Sequence, residues 1–192
     1  MTEKINKRVN AAWDEIESLV GKLAPKQLGY LNPGATQRQV NELSKAVGLD
    51  LPPSVRASLL RHNGCANKKH FLTFEFGAAD EIARRTIQQR KWYKEHCEEN
   101  ETYDELGEGG WNHETIMMGW SGTGYDFAVE CQTCEEAIPN VYVRCSHTMK
   151  LTRDYVSYLE ALVDHLKKGS FVDPKSDTIT IHSFGEHTGF LD

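Results

Sequence analysis

The chain has 192 residues, of which 39% are hydrophobic and 26% charged, and its formal net charge is -6. That length suffices for one domain with a real core, with or without an extra arm, and no apolar run approaches the roughly 20 residues that span a bilayer. The opening stretch MTEKINKRVNAAWDEIESLV interleaves charged and apolar residues and reads as no secretory signal. With an odd count of five cysteines, this argues against a disulfide framework, so reduced thiols and a cytoplasmic location are expected.

The charge is unevenly spread. Between Lys94 and Arg144 there is no lysine or arginine, while twelve acidic residues fall there, and the rest of the chain carries +6. Such a block repels phosphates and is a poor nucleic-acid surface. It suits a basic partner and would speed encounter with one. The plainer reading is a solvated face with an exposed loop.

In chain order, Ile5, Val9, Trp13 or Ala12, Ile16, Leu19 and Leu23 step by three or four, which predicts an amphipathic helix over 3–23, broken by Pro25. The next stretch, LNPGATQRQVNELSKAVGLDLPPSVRASLLRHNG from Leu31 to Gly64, is the sharpest in the chain. Thr36 and Gln39 have capping-box spacing. Val40, Leu43 and Val47 form an apolar stripe, and Gly48 stops the helix with a left-handed cap. Leu51 before Pro52 is biased towards extended backbone, and Pro53 opens a second helix. Val55, Leu59 and Leu60 are expected on its core side, with Asn63-Gly64 as the closing turn.

Residues 70–76 read as an aromatic-rich strand with Leu72, Phe74 and Phe76 on one face. A helix is expected from Ala79 to about Cys97, with Ile82, Thr86, Ile87 and Tyr93 available to the core. Glu98 to Gly110 is an acidic loop. Strands at 115–120 and 125–130 flank the Ser121-Gly122-Thr123-Gly124 turn and form a hairpin, and 140–144 is a fourth strand. Thr152 starts a closing helix with Tyr155, Leu159, Leu162 and Leu166 as its stripe and Gly169 as its cap. In the tail, 178–182 could add an edge strand. Helices first, strands in the middle and a closing helix give an α+β fold with a mostly antiparallel sheet. It is expected as one domain over 1–192, with a core at about 31–168, an extra N-terminal helix at 1–24 and a C-terminal tail at 170–192.

Few residues suggest chemistry. Cys131-x-x-Cys134 with Cys145-x-His147 is a possible zinc set, although its second pair is too closely spaced for the usual arrangement. Buried or merely exposed thiols are the simpler account, and no metal or cofactor is expected. The eight histidines show no His-Glu-x-x-His spacing, and Ser121-Gly-Thr-Gly lacks the Gly-Lys-Ser/Thr ending of a phosphate loop. No residue set supports a catalytic mechanism, so a non-enzymatic role is expected. Trp111 and Tyr125 flank the acidic block and are typical interface anchors, whereas Trp120 reads as core. The candidate partner-binding surface is therefore Glu98, Glu99, Glu101, Asp104, Glu105, Glu108, Trp111, Tyr125, Asp126, Glu135 and Glu136.

The Leu31–Gly64 stretch resembles the opening signature of the SUKH superfamily: a capped helix ending in Val-Gly, then Leu-Pro, a second helix and Asn-Gly. Trp120 to Glu130 is similar to that family's glycine turn and following strand, and Val141-Tyr142-Val143 with its His-bearing loop is similar to a third block. Two positions depart from the pattern. Ser44 stands four residues before the helix-ending glycine, where the family usually has glutamate, and Tyr125 precedes the hairpin acid at Asp126. The resemblance implies an α+β SUKH-like fold and a role as an immunity protein that neutralises a cognate toxin. The alternative it implies is a regulatory scaffold for an endogenous protein, as in the cell-wall regulators of the family. The expected partner is a toxin domain with a basic surface, not nucleic acid or a membrane. Sequence leaves the oligomeric state open.

Overall fold

The computed structural model describes residues 2–72, 74–97, 114–121, 126–131, 141–144, 148–152, 154–168, 172–173 and 178–179. Helix α1 runs Thr2–Leu23 and buries Val9, Ala12, Trp13, Ile16 and Val20 along one stripe. Pro25 does not end helical structure outright: it opens a single turn, α2, at Pro25–Leu28, because proline's missing N–H costs nothing at a first turn.

Helix α3 (Gln37–Val47) begins at the expected capping box. Thr36 accepts from the Gln39 N–H, and the Gln39 side chain answers the Thr36 N–H. Gly48 closes it with φ 69°. Helix α4 spans Pro53–Arg61. It buries Val55 and Leu59, but Leu60 is exposed, since the core sees only one stripe of so short a helix. Gly64 has φ 71°, and a Cβ there would collide with the Gly77 backbone, so only glycine fits that close approach.

The 70–76 segment is not the regular strand expected. Leu72 has a left-handed φ of 59°, Phe71 and Phe74 form an isolated antiparallel bridge, and only Glu75–Phe76 is strand, β1. The buried Gln27 side chain accepts the Leu72 N–H at 2.9 Å and so holds the bend. Helix α5 is Ala79–Cys97. Ile82 and Thr86 are fully buried, but Ile87 is exposed, one position too far round the helix.

Strands β2 (Thr115–Trp120), β3 (Asp126–Glu130), β4 (Val141–Arg144) and β5 (Thr148–Thr152) follow. The main sheet is an antiparallel meander in the order β1-β2-β3-β4-β5. β5 occupies the place expected for a loop and the start of the closing helix. Helix α6 accordingly starts at Tyr155 and runs to Lys167. Its cap is Asp154, whose carboxylate accepts from the Ser157 N–H and hydroxyl. The tail strand β7 (Thr178–Ile179) pairs with β6 (Val172–Asp173) in a sheet of its own, not at the edge of the main one.

One hydrophobic core joins α1, α3, α4, α5 and α6 to the inner face of the sheet. Its centre is aromatic, with Phe127 packed 4.6 Å from Tyr158 and 5.4 Å from Phe74, ring centre to ring centre. Surface ion pairs tie α1 down at three places. Arg8 forks onto Glu160, Lys167 reaches Glu15, and Arg61 bridges Asp14 and Glu17.

Helix α5 lies along the edge of β2 that the two-residue β1 leaves uncovered. Gly77 N–H donates to the Met118 carbonyl, Thr86 Oγ1 accepts the Met117 N–H at 3.0 Å, and Arg90 Nη2 reaches the Thr115 carbonyl. The Gly77 backbone and two side chains of α5 thus do what a neighbouring strand would do, and the edge is closed to further pairing. No helix among the described residues is long and apolar enough to cross a membrane.

Candidate functional site

The β2–β3 hairpin runs through the middle of the acidic block. Register sets what each face carries. Ile116 lies opposite Val129, and Met117 opposite Ala128. Facing residues share a side and successive residues alternate, so Ile116 and Val129 point to the core and Met117 and Ala128 point away. A bulge at Met118 interrupts the alternation. It sends Met118 and Gly119 to the core side in succession and returns Trp120 to the outer face beside Asp126, its register partner. Met117, Trp120 and Ala128 accordingly form a second, smaller apolar cluster, separate from the main core.

Trp120 is buried, as expected. Its ring lies under the Arg85 guanidinium at 3.5 Å, a close cation–π contact, and its buried indole N–H has no hydrogen-bond partner among the described residues. Asp126 is half-buried at the start of β3, opposite Trp120 on one side and Arg144 on the other. At the far end of the hairpin, Glu114 is half-buried and Glu130 buried. The acidic positions described on the hairpin are thus partly drawn into the fold rather than fully solvated.

Asp126 is the one expected partner-surface residue among the described residues. Glu98, Glu99, Glu101, Asp104, Glu105, Glu108, Trp111, Tyr125, Glu135 and Glu136 lie outside them. The same holds for Cys134, Cys145 and His147 of the possible zinc set. Cys131 is described. It is buried just after β3, its N–H bonds the Glu114 carbonyl, and burial pushes its thiol up to about 12. The nearby Arg90 opposes that shift, and Glu130 and Glu114 add to it. At neutral pH Cys131 is a protonated, apolar-packed thiol. Among the described residues no three His, Cys, Asp or Glu side chains gather as a metal site.

Sequence reading missed a polar concavity elsewhere, between α3 and α4, of about 430 Å³. Asn41, Ser44 and Lys45 line it from α3, Gly48 and Asp50 from the corner, and Arg56 from α4. The α3 residues recur at spacings of three and four, which is legible as a polar helix face. That Arg56 folds back onto that face is visible only in three dimensions.

Comparison with known families agrees with this architecture. A model of the SMI1 / KNR4 family (SUKH-1) matches residues 34–164, about two-thirds of the chain. Among curated proteins none matches the sequence. The match runs from just before the capping box of α3 to the last turns of α6 and takes in the whole main sheet. On that match, the chain belongs to the SMI1 / KNR4 family (SUKH-1), within the SUKH superfamily.

Proposed function

We propose that this protein is an immunity protein, acting in the cytoplasm through a single SUKH-like domain over 1–192, that neutralises a cognate toxin by stoichiometric occlusion. The SUKH family includes immunity proteins as well as SMI1/KNR4 regulators, and its members are generally non-catalytic. The observation that supports the immunity reading is the stretch between Lys94 and Arg144, which has no lysine or arginine and carries twelve carboxylates. Many toxin domains, nucleases especially, carry basic surfaces, and an acidic inhibitor accelerates its own capture of such a surface. Glu98, Glu99, Glu101, Asp104, Glu105, Glu108, Glu135 and Glu136 would supply the field, with Trp111, Tyr125 and Asp126 as anchors.

The test is affinity purification of the tagged chain from its native cells, followed by kinetics with whatever partner it brings down. A one-to-one complex with a toxin domain is expected. Reversing Glu98, Glu99 and Glu101 to lysine together should slow association at low salt by about tenfold or more. An unchanged association rate would sink the acidic-surface reading.

The alternative is a regulatory scaffold for an endogenous protein, favoured by the SMI1 / KNR4 regulators within the matched family. A non-toxin partner in the same purification would support it. Stoichiometric zinc, lost on replacing Cys131 and Cys134, would instead favour a small zinc protein.

A further inference from the structure

The concavity between α3 and α4 holds a guanidinium fixed by three hydrogen bonds and, among the described residues, in no ion pair. Arg56 Nε donates to the Leu51 carbonyl at 3.3 Å, Nη1 to Asn41 Oδ1 at 3.2 Å and Nη2 to Ser44 Oγ at 3.1 Å. Ser44 in turn donates its hydroxyl proton to the Leu49 carbonyl at 2.5 Å, so its oxygen is left to accept from Arg56. All three acceptors are neutral. Arg8, Arg38, Arg61, Arg84 and Arg85 each sit against a carboxylate; among the described residues Arg56 has none. A guanidinium carries five N–H donors, so one on each terminal nitrogen remains unspent. Lys45 adds a second, exposed positive charge on the same wall, and Asp50 is the one acid there.

We infer that this concavity is a docking notch for an acidic side chain presented by a protein partner. Three features select that ligand. The guanidinium is already held, so little rotamer entropy is lost when a carboxylate arrives. A monoanion is favoured over phosphate, because Asp50 and the carbonyl end of α3 add negative potential that penalises a second charge. The notch is also open, unlike the enclosed apolar pockets of small-molecule sites. It suits a residue carried on a larger surface. The inference is independent of the acidic block and of the toxin reading.

The experiment is a titration of the full isotope-labelled chain, followed by amide NMR at fixed ionic strength. The probe is the blocked residue acetyl-Glu-amide, a monoanion, with acetyl-Gln-amide and inorganic phosphate as separate arms. Saturable shifts confined to residues 41–56 are expected with the glutamyl probe alone. R56Q should weaken binding about tenfold, the loss of a charge-assisted pair, and K45Q about twofold to threefold. S44E places a carboxylate within reach of Arg56 Nη2 and should abolish binding while leaving thermal stability unchanged or higher. That variant decides the matter if R56Q loosens the α3–α4 corner. Equal shifts with the glutaminyl probe, tighter binding of phosphate, or full binding by S44E would each overturn the inference.

Discussion

Thr86 shows how much one hydroxyl can hold. It is fully buried on α5, and its Oγ1 accepts the Met117 N–H on the strand edge that β1 does not reach. T86V keeps the shape and removes the acceptor, so a buried N–H is orphaned. A loss of about 1–3 kcal/mol is expected, read as a lower denaturant midpoint, and T86S should recover most of it. Thr86 was legible as a core-facing position, though not as a hydrogen-bond acceptor, because periodicity reports a face and not its occupant. Thr36, Gln39 and Gly48 were legible outright, since capping is decided within a few residues of chain. Leu72 was not. Its left-handed φ is sustained by Gln27, 45 positions earlier, and no local pattern announces so distant a bond.

Among the elements, α1 lies outside the family match and yet is no appendage. Trp13 is buried against Phe71 and His62, and its indole N–H donates to Ser58, whose hydroxyl pairs with Tyr155. α1, α4 and α6 therefore meet at one buried polar junction. W13A should cost about 3–5 kcal/mol, measured by chemical denaturation, and would leave Ser58 with one partner fewer. If W13A were neutral, α1 would be dispensable packing. Helices and the hairpin were readable because their apolar periods run over many residues. β5 also had a signal, with Met149 and Leu151 alternating with Thr148, Lys150 and Thr152, but four or five residues of alternation beside a helix start are easily read as its lead-in. β1 was over-read for the opposite reason: Phe71, Leu72 and Phe74 are buried and Phe76 partly buried, at a place where the backbone bends.

The whole molecule has an alkaline weakness. Burial pushes Cys65 up to about 11, and Cys131 and Tyr155 up to about 12, with Tyr158 also well above its ordinary value. These groups hold their protons in the folded state at pH values where the unfolded chain, with thiols near 9.0 and phenols near 10.0, releases them. Their contribution is complete below about 9 and declines as pH rises towards 12. Each such group steepens the decline by up to about 1.4 kcal/mol per pH unit. Urea midpoints should be flat from neutral pH to roughly 9 and fall beyond it. C131A should make the fall shallower by one group's share, whereas an unchanged slope would mean that Cys131 titrates normally.

The pairing of α1 with α6 has a consequence for synthesis. Arg8 and Glu160 are 152 residues apart in the chain. At about 5–20 residues per second, α1 leaves the ribosome roughly 8–30 s before its full partner exists. α4 arrives sooner, since Ser58 follows Trp13 by 45 residues. The nascent helix therefore has a temporary berth on α4 for Trp13, and the rest of its apolar stripe waits for the last helix of the core to be translated.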